Sequence, residues 1–250
     1  MYSFKSRVRY SEVDSFGRLS TFSAINYLQD CSTFQSEDIG LGIKKLKERR
    51  RAWWLSSWYI EFDGPLLLGE NIKINTWAYG FSGFYGYRNF TIDDETGKHV
   101  VKADSTWFFF DLDKHRPVKP EKEDIEVYIN KNETKLSMNT PDRKIEKQGK
   151  VYKLSDIVIT RHFLDTNEHV NNAYYAAIAK ESVEEVHAPT VKMDRCIKSI
   201  QIHYKKAAVL GSRVVRTVYE KDDGYIVELA GTEFDTVYAD IKIIYTEDIR

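Results

Sequence analysis

The sequence is poor in cysteine, proline and long apolar runs, and it has no excess of either charge. Its 250 residues include two cysteines, Cys31 and Cys196, and neither lies in a Cys-x-x-Cys pair. That usage favours a reducing compartment over a disulfide-stabilised secreted fold, so we predict a cytoplasmic location. No run approaches the roughly 18 apolar residues that cross a bilayer, and the first residues lack the apolar stretch of a signal peptide. We therefore expect no membrane span.

The balance of charge excludes further classes of function. Lys and Arg total 37 against 38 Asp and Glu, so the basic excess typical of nucleic-acid-binding proteins is missing. No glycine-rich phosphate loop follows a strand pattern, and we expect no nucleotide or other cofactor. His162 and His169 lack the spacing of zinc ligands, and we expect no metal. What the chain does contain is core material, since 42% of its residues are hydrophobic and 14% are aromatic.

The chain repeats itself weakly, and the repeat predicts two similar halves. Asp14 and Asp165 open matching turns, and Arg18 and His169 follow at the same offset, since 165 − 14 and 169 − 18 both equal 151. A strand-like run precedes each turn and a helical pattern follows it. In the first half, buried-type residues recur at i, i+3, i+4 and i+7, the stripe of a helix packed on a sheet. The predicted helices span about 22–37 and 171–183.

Long β-rich runs follow each predicted helix, with turn signals between them. Asp and Gly cluster at 94–97 and 222–224, which indicates hairpin turns. The predicted strands are Trp58–Phe62, Ile72–Tyr79, Tyr85–Ile92 and Val101–Asp111, then Ile197–Lys206, Arg213–Glu220, Tyr225–Thr232 and Thr236–Thr246. We therefore predict an α+β fold in which each half is a long central helix wrapped by a curved antiparallel sheet.

Composition sets the predicted domain boundaries. Residues 119–150 are dominated by Lys, Glu, Asp, Asn and Gln, which is typical of a surface linker. The apolar piece Ile125–Ile129 is able to pin this segment to a domain, and disorder is the less favoured alternative. We place an N-terminal domain at 1–125, a charged linker at 126–150 and a C-terminal domain at 151–250.

Three polar residues are packed into the turn before the second predicted helix. Asp165, Asn167 and His169 place a carboxylate, an amide and an imidazole at a helix N-terminus. There, free backbone N–H groups and the helix dipole stabilise developing negative charge. A carbonyl that becomes an oxyanion needs such donors, and the attacking water needs a base. The arrangement favours hydrolysis of an activated acyl group, although each residue taken singly is more often a turn or capping residue.

Residues 165–175 resemble a family signature. Their pattern Asp-x-x-x-His-Val-Asn-Asn-x-x-Tyr is similar to that of hotdog-fold thioesterases, and Asn167 adds a likeness to the acyl-ACP thioesterases. A second block, at 76–117, resembles the first-half motifs of the same family. The resemblance implies a double hotdog fold, release of free fatty acid from acyl-acyl carrier protein, and acyl carrier protein as the partner. Plant members begin with a plastid-targeting extension that this sequence lacks, so a bacterial-type member is expected.

The two halves differ at the positions that carry the chemistry. Phe16 stands opposite Asn167, and Arg18 stands opposite His169. Because an arginine does not relay protons near neutral pH, we assign the first half to the acyl chain and the second to catalysis. His169 positions or deprotonates the water, Asp165 orients the imidazole or is itself the base, and Asn167 holds the carbonyl or the water. The predicted oxyanion donors are the backbone N–H groups of Val170, Asn171 and Asn172.

One departure from the family pattern leaves the identity of the base open. Plant acyl-ACP thioesterases carry a catalytically implicated Glu and then a Cys after a Tyr-basic-basic triplet. Here the triplet 204–206 is followed by two alanines, the first of them Ala207. This excludes a thiolate nucleophile at that point and does not decide between His169 and Asp165. Glu181 is an alternative carboxylate, although a helix residue bonded to a neighbouring strand is its simpler interpretation.

The densest basic cluster lies between residues 44 and 51. As a functional feature it would dock acyl carrier protein, whose surface is acidic, and steer its approach. As a structural feature it is a solvated helix end or loop, and the sequence favours neither. The cluster consists of Lys44, Lys45, Lys47, Arg49, Arg50 and Arg51.

Two other functions are compatible with these motifs. A hotdog thioesterase acting on acyl-CoA would use the basic cluster for nucleotide phosphates. A non-catalytic acyl-binding double hotdog would explain Ala207 as the mark of a vestigial site. A homodimer is also open, although one chain already supplies the two halves that single-hotdog proteins assemble from two chains.

Overall fold

The computed structural model describes residues 1–129, 132–187, 196–233 and 235–246. The chain divides into two compact units, which we call unit 1 (Met1–Asn139) and unit 2 (Thr140–Arg250). Within the described ranges, each unit has one long helix and an antiparallel sheet of five long strands. Large antiparallel sheets with few helices make this an α+β protein, as predicted.

Unit 1 begins with a strand, a tight turn and its long helix. Its elements are β1 (Tyr2–Arg7), α1 (Thr21–Asp38), α2 (Ile43–Glu48), β2 (Arg51–Phe62), β3 (Asn71–Ser82), β4 (Tyr85–Asp93), β5 (His99–Asp111), β6 (Arg116–Pro117) and α3 (Lys122–Glu126). The strand order is β1-β3-β4-β5-β2, every neighbouring pair is antiparallel, and the short β6 pairs with β5. The predicted turn at 94–97 joins β4 to β5.

Unit 2 repeats this order with fewer additions. Its elements are β7 (Lys150–Val158), α4 (Asn172–His187), β8 (Ile197–Tyr204), β9 (Arg213–Lys221), β10 (Gly224–Ala230) and β11 (Val237–Tyr245). The strand order is β7-β9-β10-β11-β8, again antiparallel throughout. This is the order of unit 1 with each strand replaced by its counterpart. The predicted internal repeat is therefore confirmed at the level of topology.

Each long helix buries one face against its own sheet. In unit 1, α1 packs on β1, β3 and β4, and the predicted stripe is buried at Ala24, Tyr27, Leu28 and Cys31. In unit 2, α4 packs on β9, β10 and β11, and its fully buried residues include Ala173, Ala176 and Ala179. Small side chains at these three positions let the sheet approach the helix closely, and each buried methylene removed from water contributes roughly 0.8 kcal/mol. No helix in the described ranges is both long and apolar enough to cross a membrane.

The predicted elements are present, and several are longer than predicted. Helix α4 continues to His187 rather than ending at Val183. Strand β2 starts at Arg51 rather than Trp58, because residues 51–55 pair with the end of β5 across a bulge. The sequence also gave no strong helix signal for α2, which the basic cluster partly occupies.

Residues 132–148 are extended segments held on the two sheets by specific hydrogen bonds. In unit 1, Thr134 accepts a bond from the Trp77 indole (2.9 Å) on β3, and the Leu136 N–H donates to the Asn89 amide oxygen (2.8 Å) on β4. The Asn139 N–H donates to a Glu61 carboxylate oxygen (3.0 Å) on β2. The segment thus crosses the sheet transversely, and we call residues 132–139 the unit 1 strap.

A second strap, residues 140–148, lies on unit 2. Asp142 accepts a bond from the Lys242 ammonium (2.8 Å) on β11, and its N–H donates to the Gln201 side chain (3.1 Å) on β8. Lys147 forms an ion pair with Asp240 (3.1 Å), and Ile145 is only 3% exposed. A segment that composition marks as a surface linker is therefore part of each unit's packing.

Candidate active site

The turn that precedes α4 contains the three predicted catalytic residues, and the Asp165 carboxylate holds its backbone together. One carboxylate oxygen of Asp165 accepts the backbone N–H groups of Asn167 (2.7 Å) and His169 (3.3 Å). The backbone N–H of Asp165 donates to the His169 carbonyl (2.8 Å), which closes the loop. Glu168 completes the turn with a positive φ of 61°, a conformation that costs a non-glycine residue about 1 kcal/mol. The carboxylate therefore organises the turn whatever else it does.

The opening of α4 lies immediately after this turn. The side-chain oxygen of Asn171 accepts the Ala173 N–H (2.9 Å), and its carbonyl accepts the Tyr174 N–H (3.0 Å), so Asn171 caps the helix. His169 is two residues before the cap and partly exposed, and Asn167 is exposed. His169 thus lies in the turn just before the helix N-terminus, on the side of the positive end of the dipole.

Two of the three predicted oxyanion donors are used inside the fold. The Val170 N–H donates to the Ala208 carbonyl (2.9 Å), and the Asn171 N–H donates to the Phe163 carbonyl (2.8 Å). The same two bonds recur at the equivalent positions of unit 1, which marks them as structural. The structure therefore contradicts an oxyanion role for Val170 and Asn171, because their donors already have acceptors. The role of Asn172 stays a prediction.

Unit 1 has the same turn with different side chains. One carboxylate oxygen of Asp14 accepts the backbone N–H groups of Phe16 (2.9 Å) and Arg18 (3.0 Å), and the other binds the Arg18 guanidinium (3.1 Å). The Arg18 guanidinium carbon lies 4.4 Å from the centre of the Phe16 ring. The position of the imidazole is thus filled by a cation that is paired with the turn's own carboxylate and stacked on an aromatic ring. The unit 1 turn therefore contains no imidazole.

A loop after β8 borders the turn in unit 2. His169 forms an isolated bridge with Val209, and the Ala208 N–H donates to the Tyr175 hydroxyl (2.9 Å). Burial raises the pKa of Tyr175 to about 12, so its hydroxyl stays protonated at physiological pH. The Tyr204 hydroxyl donates to the Asn172 carbonyl (3.0 Å) at the start of α4. These two tyrosines fix the loop to the helix opening, and sequence reasoning had marked them only as parts of motifs.

The family's glutamate position is exposed in this loop. Ala207 is solvent-exposed and directly precedes Ala208, whose peptide is held on both sides. Glu181, the alternative carboxylate, is exposed in the middle of α4, nine residues after the helix begins. The α4 carboxylate that does bond a strand is Glu185, which receives the buried Arg216 guanidinium at 2.7 Å. Glu181 therefore neither belongs to the turn 165–169 nor forms the bond to a neighbouring strand that its simpler interpretation predicts.

The arginines of the basic cluster are engaged in ion pairs within unit 1. Arg49 binds the buried Asp124 through two hydrogen bonds (2.6 and 2.9 Å). Arg50 pairs with Asp113 (2.8 Å) and Arg51 with the buried Asp111 (3.0 Å), while the three lysines of the cluster, Lys44, Lys45 and Lys47, are exposed. Lys45 is itself 3.7 Å from the Glu48 carboxylate, so it is exposure and not pairing that favours the lysines for the docking prediction, since Arg49 and Arg51 are partly buried.

The described ranges contain no cluster of side chains suited to metal binding and no activated thiol. No group of three or more His, Cys, Asp or Glu side chains in them is arranged to hold a metal ion. Both cysteines are free thiols, one in each unit, and burial raises the pKa of Cys31 to about 12. The side chains gathered at the α4 opening are therefore the candidates for chemistry.

Each of the two units packs a helix on an antiparallel sheet, and the turn before the second long helix carries an acid, an amide and an imidazole. Family models identify the particular family. The acyl-ACP thioesterase N-terminal domain matches residues 1–128, and the acyl-ACP thioesterase C-terminal domain matches residues 146–247. The chain belongs to the acyl-ACP thioesterase family.

Individual relatives agree with this membership. The chain is 24% identical over 212 residues to a palmitoyl-acyl carrier protein thioesterase of Arabidopsis thaliana chloroplasts, covering 80% of this chain and 50% of that protein. It thus spans about half the length of that relative.

Two solved structures show the same fold over their whole length. An acyl-ACP thioesterase from Bacteroides thetaiotaomicron matches with a TM-score of 0.81 at 22% identity, covering 98% of this chain and 97% of the other. A 12:0-ACP thioesterase from Umbellularia californica matches with a TM-score of 0.76 at 15% identity, covering 98% of each chain.

Proposed function

We propose that this chain hydrolyses acyl-acyl carrier protein by water attack and releases a free fatty acid. The observation that supports the proposal most strongly is the turn 165–169 at the opening of α4, which unit 1 repeats in backbone but not in side chains. We further propose that each unit adopts the hotdog fold, in which a curved sheet wraps the long helix. Unit 2 is the catalytic unit, and unit 1 receives the acyl chain.

His169 is proposed to position and deprotonate the attacking water. It stands at a helix opening and in a turn that Asp165 holds together, so its backbone is fixed before substrate arrives. The partly exposed ring is accessible to water, and an imidazole accepts protons near neutral pH. A base in this position contributes typically 10²- to 10⁴-fold.

Asp165 and Asn167 are the other two residues of the proposed catalytic site. Asp165 orders the turn through one carboxylate oxygen and adds negative charge beside the imidazole, which stabilises the imidazolium formed during attack. The exposed amide of Asn167 holds the thioester carbonyl or the water. With the N–H groups of Val170 and Asn171 occupied, the oxyanion is assigned to the Asn167 amide, and such a donor is worth roughly 10²- to 10³-fold.

The proposal is tested by steady-state kinetics of acyl-acyl carrier protein hydrolysis. His169→Ala is expected to lower kcat by at least about 10²-fold with KM little changed. His162→Ala is the matched control, because His162 is an exposed histidine of the same unit outside the turn. Full activity in a folded His169→Ala variant would rule out the assigned base. A wild type that binds but does not hydrolyse any acyl-acyl carrier protein would instead favour the acyl-binding alternative.

The proposed docking surface consists of Lys44, Lys45 and Lys47. Reversing these three charges is expected to raise KM for acyl-acyl carrier protein and to spare a small model thioester, since only the protein substrate meets the surface. Equal effects on both substrates would discard the docking role. Comparing kcat/KM on acyl-acyl carrier protein and acyl-CoA of matched chain length separates the leading proposal from an acyl-CoA thioesterase.

A further inference from the structure

A buried guanidinium in unit 1 takes no part in the chemistry described above. Arg88 lies on β4 and is 8% exposed. Burial lowers the pKa of Arg88 to about 10, which leaves it positively charged at physiological pH. A cation in this position has lost most of its hydration, so its remaining partners determine how much its burial costs.

The protein satisfies only one edge of this guanidinium. Nη1 donates to the Gln35 side-chain oxygen on α1 and to the Thr76 hydroxyl (3.0 Å) on β3. Within the described ranges, no hydrogen bond leaves Nε or Nη2, and no carboxylate pairs with Arg88. Both acceptors are neutral, and no carboxylate compensates the charge. Nε and Nη2 keep some access to solvent, since neither is among the fully buried atoms without a partner. The edge formed by Nε and Nη2 is the one that binds oxygen acceptors in the bidentate manner.

Arg216 of unit 2 shows how the fold satisfies such a group when its role is structural. It is 4% exposed, and its Nη1 donates to the Glu185 carboxylate at 2.7 Å. Its Nε and Nη2 donate to the carbonyl (2.9 Å) and the hydroxyl (3.1 Å) of Ser155. All three nitrogens have acceptors there and the charge is paired. The difference between the two buried arginines points to an acceptor for Arg88 that comes from outside the protein.

Aromatic rings lead away from the guanidinium. The Arg88 guanidinium carbon lies 5.4 Å from the centre of the Tyr128 ring, which meets Trp53 edge-on at 6.4 Å. Trp53 in turn contacts Phe81 (5.9 Å) and Phe109 (4.7 Å). These rings form an apolar row that begins beside the guanidinium. Such a row suits an alkyl chain, and the cation suits an oxygen at the end of that chain.

We propose that Arg88 is a specificity residue for acyl chains that carry a hydrogen-bond-accepting oxygen, a hydroxyl or a carboxylate, at the end distal to the thioester. The inference rests on the proposed function, in which unit 1 receives the acyl chain. A distal oxygen binds the Nε and Nη2 edge and replaces the water that a bound chain displaces, whereas a methyl end displaces that water without replacing its hydrogen bonds. Hydrogen bonds to a charged group distinguish the two ends by about 10- to 100-fold.

The test compares acyl-acyl carrier proteins of equal length that end in methyl, hydroxyl or carboxylate, over a series of chain lengths. The wild type is expected to show a kcat/KM about 10- to 100-fold higher for an oxygenated end than for the methyl end at one preferred length. Arg88→Met keeps the side-chain length and is expected to abolish that ratio and to favour the methyl end. A ratio near one at every length in the wild type, or an unchanged ratio in Arg88→Met, would overturn the proposal.

A second variant covers the case in which Arg88→Met does not fold. Gln35→Glu keeps the shape of the side chain that Arg88 already contacts and supplies the missing negative charge, so it is expected to reduce the preference for oxygenated ends, most strongly for carboxylate. Arg216→Met is the matched control for loss of a buried arginine, with an unchanged ratio expected. An undiminished preference in Gln35→Glu would also overturn the proposal.

A binding measurement separates this inference from the proposed function. Calorimetric titration of the wild type with decanoic, 10-hydroxydecanoic and decanedioic acids needs no hydrolysis. Tighter binding of the oxygenated acids, lost in Gln35→Glu, supports the site even if no acyl-acyl carrier protein is cleaved. Hydrolysis of plain acyl chains without any such difference in binding supports the function and rejects the site.

Discussion

The matched turns of the two units allow the backbone strain at the candidate active site to be measured. Glu168 has φ of 61°, whereas the equivalent residue of unit 1 is Gly17 with φ of 74°. Gly17 adopts this region without steric cost, while Glu168 carries strain of about 1–2 kcal/mol. Replacing Glu168 with glycine releases that strain but adds about 0.5–1 kcal/mol of conformational entropy to the unfolded chain. The expected result is a net stabilisation of about 0.5–1 kcal/mol.

Gly17→Ala is the reciprocal experiment. A Cβ built at Gly17 meets no atom within 4 Å, so the substitution changes backbone conformational energy and nothing else. It is expected to destabilise by about 0.5–1 kcal/mol, a similar magnitude with opposite sign. Urea unfolding followed by circular dichroism and tryptophan fluorescence measures both variants. Destabilisation by Glu168→Gly, or the same sign for both variants, would refute the assignment of strain to this turn.

Glu168→Gly is expected to lower activity although it raises stability. Glycine gives the turn additional conformations, so His169 spends less time in the position set by Asp165. We expect kcat to fall and KM to change little in the stabilised variant. A stabilised variant with unchanged kcat would show that the strain has no part in holding the site.

Further predictions concern the cap, an ion pair and two buried titratable groups. Asn171→Ala removes the side-chain cap of α4 and is expected to cost about 1 kcal/mol in urea unfolding. Arg49→Ala leaves the buried carboxylate of Asp124 without its bidentate partner and is expected to cost about 2 kcal/mol. Because burial raises the pKa of Cys31 to about 12, iodoacetamide at pH 8 is expected to leave this thiol unmodified until urea is added, as measured by mass spectrometry. Burial lowers the pKa of His203, so the unfolded chain binds its proton more readily; stability is expected to fall as pH drops below about 6.5, and His203→Gln to flatten that slope.

Each of these has a contrary outcome. A stability of Asn171→Ala equal to wild type would mean that the cap is not formed in solution. A cost for Arg49→Ala no larger than that of Lys44→Ala, expected within about 0.5 kcal/mol, would place the Asp124 pair among the weak surface pairs. Modification of Cys31 in the folded protein, or an unchanged acid slope in His203→Gln, would contradict the burial of those groups.

The sequence predicted the long helices and strands because they depend on local patterns, and the prediction of the candidate site rests on a local pattern as well. Helix α1 is marked by a 3.6-residue stripe, and the turn at 165–169 is marked by closely spaced polar residues. The hydrogen-bond partners of Val170 and Asn171 were not predictable, since the acceptors lie at Ala208 and Phe163 and depend on the folded loop. For the same reason the spacing of donors was a poor guide to which of them face a substrate.

Charge composition misled in two further places. The six residues of the basic cluster could not be told apart by composition, but Arg49 pairs with Asp124, a residue 75 positions later in the chain. The segment 126–150 is predicted to be a charged linker, and composition did not predict that its residues 132–148 bond to side chains on the sheets. In both cases the decisive contacts join residues far apart in sequence, and composition carries no information about them.

The two straps determine where this protein can be cut. A gene fragment ending at residue 126 would remove the backbone that the Trp77 indole, the Asn89 amide and the Glu61 carboxylate bond to, and would bare polar groups on the outer surface of that half. A fragment beginning at 150 would do the same to Gln201. For independent expression of the halves, the chain should therefore be divided between residues 139 and 140, so that each half retains its own strap.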